Sequence, residues 1–170
     1  MTGVVVWFTG LPSSGKTSLA KAVQERLARL KRSACLLDSD EVRQALVPSP
    51  GYTEGAREAF YATLAGLAGL LSQQGLVVLV AGTAHRDEHR ERARKAAQCF
   101  IEVWVNTPIE ECERRDSKKL YARARLGELT SLPGVQIKYE TPAKPDIIAP
   151  GGLSAEAVDE ILERIASVAP

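Results

Sequence analysis

The stretch Val4-Val5-Val6-Trp7-Phe8-Thr9-Gly10-Leu11-Pro12-Ser13-Ser14-Gly15-Lys16-Thr17-Ser18 decides how the chain folds. Its first part, Val4 to Phe8, is too short and too β-branched for a stable helix and reads as a buried strand. Gly10 to Thr17 then fits G-x-x-x-x-G-K-[ST], the spacing of a phosphate-binding loop. The two glycines let the backbone wrap closely round phosphate oxygens, and the helix that follows adds a favourable dipole. Lys16 is placed to reach the β- and γ-phosphates, and the Thr17 hydroxyl to ligate Mg²⁺. Gly10, Pro12, Ser13, Ser14, Gly15, Lys16, Thr17 and Ser18 are therefore the expected ATP-binding residues. A chance match in a chain of this length is an event on the order of one in a hundred, and the strand–turn–helix context lowers it further.

Outward from the loop, Leu19, Val23, Leu27 and Leu30 form a helical stripe that closes in Lys31-Arg32, a basic pair suited to a helix C-terminus. Ala34 to Leu37 is a second strand, and Asp38-Ser39-Asp40 follows it directly. Phe60, Leu64, Leu67 and Leu71 mark another helix, which Gly75 can end. Leu76 to Ala81 and Phe100 to Val105 read as strands, with charge-dense Asp87 to Ala97 a surface helix between them. Thr107-Pro108-Ile109-Glu110 has the form of a capping box with Pro at the first helical position. Pro133 to Pro150 holds four prolines and reads as loop around one short strand near Ile147-Ile148. Ser154 can cap a last helix with Val158, Ile161, Leu162 and Ile165 inward. Near-continuous apolar strands alternating with helices imply the α/β class. The expected form is a P-loop NTPase-type three-layer α/β/α fold on a central parallel sheet of about five strands.

Composition narrows the class of function. The 170 residues are 45% hydrophobic and 25% charged, which suits one domain over residues 1–170 and excludes a disordered chain. Lys and Arg number 22 against 21 Asp and Glu, so no basic surplus points to a nucleic-acid partner. The longest apolar run, Leu76 to Ala81, is far short of the roughly 18 residues of a membrane span. Met1-Thr2-Gly3 carries no basic region of a signal peptide. Cys35, Cys99 and Cys112 share no metal-type spacing and read as free thiols of a cytoplasmic protein.

The third strand ends in Ala81-Gly82-Thr83, without the Asp of a Walker B motif. The acidic pair instead follows strand two, at Asp38 and Asp40, an end that a parallel sheet places beside the phosphate loop. Phosphoryl transfer to a hydroxyl needs a group to orient or deprotonate it, and carboxylates near Mg²⁺. Lys16, Asp38 and Asp40 are thus the catalytic candidates, with helix capping the competing role for either Asp. His85-Arg86-Asp87-Glu88-His89 spells H-x-x-E-H, but no third zinc ligand is evident and the segment reads as a charged helix.

The stretch from Glu102 to Asp116, E-V-W-V-N-T-P-I-E-E-C-E-R-R-D, continues through Lys118, Leu120-Tyr121, Ala124-Arg125 and Gly127-Glu128 to Tyr139-Glu140-Thr141-Pro142. With the phosphate loop, this pattern resembles the adenylylsulfate kinases from Val4 to about Ile148. Those enzymes phosphorylate the 3′-hydroxyl of adenosine 5′-phosphosulfate with ATP, a step of sulfate activation. The resemblance implies ATP and Mg²⁺ as cofactors, a nucleotide substrate and a homodimer, and leaves open a sulfurylase partner in the pathway. It implies Asp40 near the acceptor hydroxyl, with Arg43, Arg57 and Arg86 as cations on the substrate side. Arg115 falls on a residue that packs on the ATP adenine, and Lys118 on a lid near residues 116–140. Tyr52, Thr83 and Leu132 fall on further substrate contacts.

Departures from the family pattern gather on the acceptor side. Ser39 and Glu41 replace Gly and Asn, Tyr52 stands for a Phe that stacks on the substrate adenine, and Leu132 for its opposite ring. Phe60 occupies the place of a substrate-binding Asn, Thr83-Ala84-His85 replaces S-P-Y, and Lys119 replaces a Gly. These changes leave two alternatives open: another small hydroxyl compound as acceptor, or a nucleotide-binding regulatory module without transfer.

Overall fold

The computed structural model describes residues 2–169. Strands β1 (Val4–Thr9), β2 (Ala34–Asp38), β3 (Val77–Ala81), β4 (Phe100–Val105) and β5 (Ile147–Ala149) form one parallel sheet of order β2-β3-β1-β4-β5. The expected α/β class and strand number are what the chain adopts. Every residue of β1 is buried. Alternation explains this: Val4, Val6 and Phe8 pack toward α1 (Lys16–Arg29) and α7 (Ala155–Val168), through Leu19, Val23, Ile161 and Ile165. Val5 and Trp7 face the other layer, with Phe60, Leu64 and Ala68 of α3 (Glu54–Gln73) and Ala93 of α4 (Asp87–Ala96). Each Val, Leu or Phe buried in this way contributes roughly 1.5–3 kcal/mol.

Chain order sets the position of the site. From β1 the chain runs through α1 to the edge strand β2, returns to β3, and crosses by α4 to β4 on the far side of β1. The C-terminal end of β1 is therefore a point where connections diverge, the place where open parallel sheets bind ligands. Short helices α2 (Ser39–Ala45), α5 (Ile109–Arg115) and α6 (Leu120–Arg125) complete the description. Among the described residues, no helix is long and apolar enough to cross a membrane.

Four local expectations change. Leu30 is the C-cap residue of α1 and is 67% exposed, outside the stripe. On α3 the buried face runs through Ala65, Ala68 and Gly69 rather than Leu67, because α4 lies against it. A Cβ on Gly69 would meet the Ala96 carbonyl oxygen at 2.7 Å, so only glycine permits that approach. Helix α4 is not a simple surface helix: Arg90 is fully buried and donates to Glu102 at 2.8 Å and to the Ala84 carbonyl at 2.7 Å. The capping box at Thr107 does not form. Helix α5 starts at Ile109 after Pro108, and the Thr107 hydroxyl donates instead to the Ser14 carbonyl at 2.7 Å. Ser154, by contrast, caps α7 as expected, accepting from the Ala157 N–H at 3.2 Å.

Candidate active site

The phosphate loop is fixed from both sides. Gly15 is the N-cap of α1 at φ +99°, a conformation that disfavours any residue with a Cβ. Orphan N–H groups of the first helical turn are then free to meet an anion. Thr107 holds the carbonyl of buried Ser14 from β4's side, and the Tyr121 hydroxyl donates to the Pro12 carbonyl at 2.9 Å. Lys16 folds onto this loop, donating to the carbonyls of Gly10 at 3.0 Å and Leu11 at 2.7 Å. Burial pulls its pKa down to about 8, with Lys118 acting in the same direction and Asp40 and Asp38 against it. A polyphosphate placed in the loop restores the missing counter-charge.

At the end of β2, Asp38 does two things at once. One oxygen, Oδ1, accepts from the N–H groups of Asp40 at 2.9 Å and Glu41 at 3.4 Å and so caps α2. The other, Oδ2, accepts from the Thr17 hydroxyl at 2.5 Å. Capping and a place in the site are thus compatible for the same side chain. Thr17 and Asp38 offer a hydroxyl and a carboxylate, hard oxygen donors of the kind that hold Mg²⁺ beside substrate phosphates.

A cleft of about 900 Å³ joins this loop to a second group of residues, among them Asp40, Arg43, Tyr52, Arg57, Thr83 and Leu132. Arg43 is buried, its guanidinium 3.7 Å from the Phe60 ring centroid and 4.6 Å from that of Tyr52. Arg57 donates to the Tyr52 carbonyl at 2.9 Å and to the Ser131 carbonyl at 2.7 Å. Burial lowers its pKa, opposed by Tyr61 and reinforced by Arg43. Among the described residues neither arginine has a carboxylate partner, so two cations stand unneutralised in one cleft. Lys118 reaches across from the opposite wall to pair with Asp40.

Comparison with known proteins then places the chain. The family model for adenylylsulphate kinase matches residues 2–149. The chain belongs to the adenylylsulphate kinase family. It is 37% identical over 163 residues to the adenylyl-sulfate kinase of Picosynechococcus sp., covering 96% of this chain and 91% of that one. The structure of the Mycobacterium tuberculosis APS kinase CysC in complex with AMPPNP and APS superposes with a TM-score of 0.90 at 38% identity, covering 97% of this chain and 98% of the other. The bifunctional enzyme CysN/CysC of the same species is 39% identical over 170 residues, 97% of this chain but only 28% of that protein.

Within this family frame, most of the residues expected from the sequence meet in the cleft. Pro12, Ser13, Gly15, Lys16, Thr17, Ser18, Asp38 and Asp40 line one part of it, and Arg115 stands beside Gly152 at the outer end. Gly10 and Ser14 build the loop from beneath without lining the cleft. Lys118 and Leu132 line it, Leu132 as part of a small apolar cluster with Cys112, Tyr121 and Leu11. Two residues are not brought there. Arg86 pairs with Glu54 and does not line the cleft. Phe60 is 2% exposed and lies against Arg43, not against the cleft. H-x-x-E-H builds no metal site: His89 Nε2 meets Glu58 at 3.1 Å, His85 packs edge-on to His89, and no metal-holding group gathers among the described residues.

Sequence reasoning missed Ser131 and Tyr61, both of which line the cleft. Tyr61 had a readable signal. Ala84 stands where the family pattern has proline, so it brings a buried N–H that needs an acceptor, and the Tyr61 hydroxyl accepts it at 2.9 Å.

Proposed function

We propose that this chain transfers the γ-phosphoryl group of ATP to the 3′-hydroxyl of adenosine 5′-phosphosulfate, giving 3′-phosphoadenylylsulfate and ADP. One observation carries the reading: a phosphate loop and two unneutralised arginines share one cleft with the carboxylate of Asp40. The loop and Lys16 cradle the triphosphate, and Arg115 beside Gly152 packs on its purine. Thr17 and Asp38 hold Mg²⁺, which when bound neutralises charge on the transferring phosphoryl group. Arg43 and Arg57 take the phosphosulfate, whose oxyanions suit the planar donors of guanidinium. Asp40 orients the acceptor hydroxyl and takes its proton as the in-line transfer proceeds. Tyr52 and Leu132 enclose the acceptor adenine, and Thr83 contacts it from the end of β3.

Residues 116–140 act as the lid, anchored by Tyr121 on Pro12 and by Lys118 on Asp40. Closing over both nucleotides keeps water from the γ-phosphoryl group. We also place the chain in the cytoplasm as one kinase domain and a homodimer, supplied with adenylylsulfate by a sulfurylase. The unpaired cysteines and the bifunctional relative favour this setting.

The test is ADP release coupled to a panel of acceptors. Adenosine 5′-phosphosulfate should be the fastest. Faster turnover with a small non-adenylyl alcohol would reassign the acceptor, and ATP binding without transfer to any acceptor would leave only a regulatory nucleotide site.

A further inference from the structure

We propose that Phe60 is a positioning residue that sets the plane of the Arg43 guanidinium for the acceptor anion. The inference rests on the acceptor assignment above and explains a residue that the family pattern does not predict. Phe60 lies on α3, is 2% exposed and does not line the cleft, so it acts on a substrate there only through its neighbours. Its ring centroid is 3.7 Å from Arg43 Cζ, and the Tyr52 centroid is 4.6 Å from the same atom. Two aromatic rings therefore lie against one guanidinium. The ring quadrupole attracts a cation, and the attraction strengthens where water is excluded.

What the contact leaves free is as informative as what it holds. Arg43 Nη1 donates to the Gly51 carbonyl at 3.0 Å and, at 3.4 Å, to that of Pro50. Among the described residues, Nε and Nη2 have no protein partner, and neither is a sealed, unsatisfied atom. One edge of the guanidinium is thus tethered by neutral carbonyls, and two rings lie against the group. The other edge remains open in a cleft that Arg43 lines. An arginine held in this way loses little side-chain freedom when it binds a tetrahedral oxyanion. An ion pair could hold the side chain too, but it would neutralise the charge that the anion needs. Aromatic faces position it and leave the charge intact.

Phe60 also meets Tyr61 edge to face, with ring centroids 5.4 Å apart, which fixes the ring's own orientation. Phe60 is therefore held between two residues that line the cleft, Arg43 and Tyr61. In place of an amide that would touch the acceptor directly, this chain uses a ring one layer further back.

The decisive experiment replaces Phe60 with phenylalanines of increasing fluorination, which preserve shape while weakening and then reversing the ring quadrupole. KM for adenosine 5′-phosphosulfate should climb stepwise with fluorine number, to about tenfold for the pentafluoro ring. In the same series kcat and the KM for ATP should stay within twofold. Phe60→Leu should match the pentafluoro variant, and Phe60→Tyr should stay near the parent. A readout independent of turnover is the Arg43 Nε–H resonance, assigned by its loss in Arg43→Lys. Its ring-current shift should collapse in Phe60→Leu. An acceptor KM that ignores fluorination, or an unshifted Arg43 resonance in the parent, overturns the proposal. Absence of any acceptor-dependent turnover in the parent would overturn the functional reading instead, while the resonance would still report whether Phe60 holds Arg43.

Discussion

The two halves of the cleft are built on opposite principles. On the donor side, backbone is what is positioned and presented: Gly15 in its left-handed conformation, the Ser14 carbonyl held by the Thr107 hydroxyl, the Pro12 carbonyl held by the Tyr121 hydroxyl. On the acceptor side, side chains are what is positioned and presented, by rings and by backbone carbonyls. Arg43 rests on Phe60 and Tyr52, and Arg57 on the carbonyls of Tyr52 and Ser131. A backbone cradle presents the same donors to any polyphosphate and is encoded in a few consecutive residues. A cradle of stacked side chains draws on residues 43 to 132 and can be retuned by one substitution without disturbing the fold. That difference fits where this chain departs from its family: Phe60, Thr83 and Leu132 all fall on the acceptor side, whereas the phosphate loop keeps its pattern.

The comparison predicts that donor-side and Asp40 changes act on turnover and acceptor-side changes on substrate requirement. Lys16→Ala should lower kcat by at least ~10², the scale on which a lost charge-stabilising donor acts. A fall of less than threefold in steady-state kinetics would remove Lys16 from that role. Asp40→Asn should cost on the order of 10² in kcat, because the amide cannot take the acceptor proton. Retained activity there would move the base elsewhere in the cleft.

Arg43→Lys sharpens the contrast further. Lysine keeps the charge but has no planar face to lay against Phe60 and Tyr52. The acceptor KM should rise by about tenfold, with the ATP KM within twofold of the parent, in initial-rate measurements that vary each substrate in turn. Equal effects on both substrates would mean that the two halves are not independent.

The same contrast explains what the sequence made legible. Gly10 to Thr17 could be read because a tight phosphate loop constrains residue type at fixed spacing. The order of strands and helices could be read because β1 is apolar on both faces and α7 on one. Asp38 was visible as both cap and catalytic candidate, and its two oxygens divide, one capping α2 and the other accepting from the Thr17 hydroxyl in the cleft. Arg90 and Glu102 were not legible as a pair. A charged residue on α4 looks the same in sequence whether it meets water or a buried carboxylate on β4. Thr107 was misread because a capping box and a bond to a distant carbonyl use the same hydroxyl. Phe60 looked like a change in substrate contact because spacing cannot show that the side chain sits behind Arg43 rather than beside the acceptor.

The smallest expected effect separates the halves by pH. Behind the acceptor wall, His89 stacks on Tyr61 with centroids 4.5 Å apart, and His85 packs edge-on against His89. Burial pushes the His85 pKa down to about 4, and His89, Arg57 and Arg86 push the same way while Glu140 opposes. Burial also lowers His89, against the pull of Glu58. Both rings are more easily protonated in the unfolded chain, whose histidines titrate near pH 6.5. Between about pH 6.5 and 4 the unfolded state therefore binds more protons, and stability falls as the solution becomes more acidic. For His85 alone the loss between about pH 7 and 5.5 is about 1 kcal/mol. Chemical denaturation at the two pH values should show His85→Asn losing about that much less than the parent. Because the ring props the acceptor wall through His89 and Tyr61 and stays neutral in the folded chain until the pH nears 4, acid should raise the acceptor KM ahead of the ATP KM only close to that pH. Parallel pH slopes for parent and His85→Asn would show that the acceptor wall does not depend on a neutral His85, and that its side chains are held as firmly as the backbone of the donor loop.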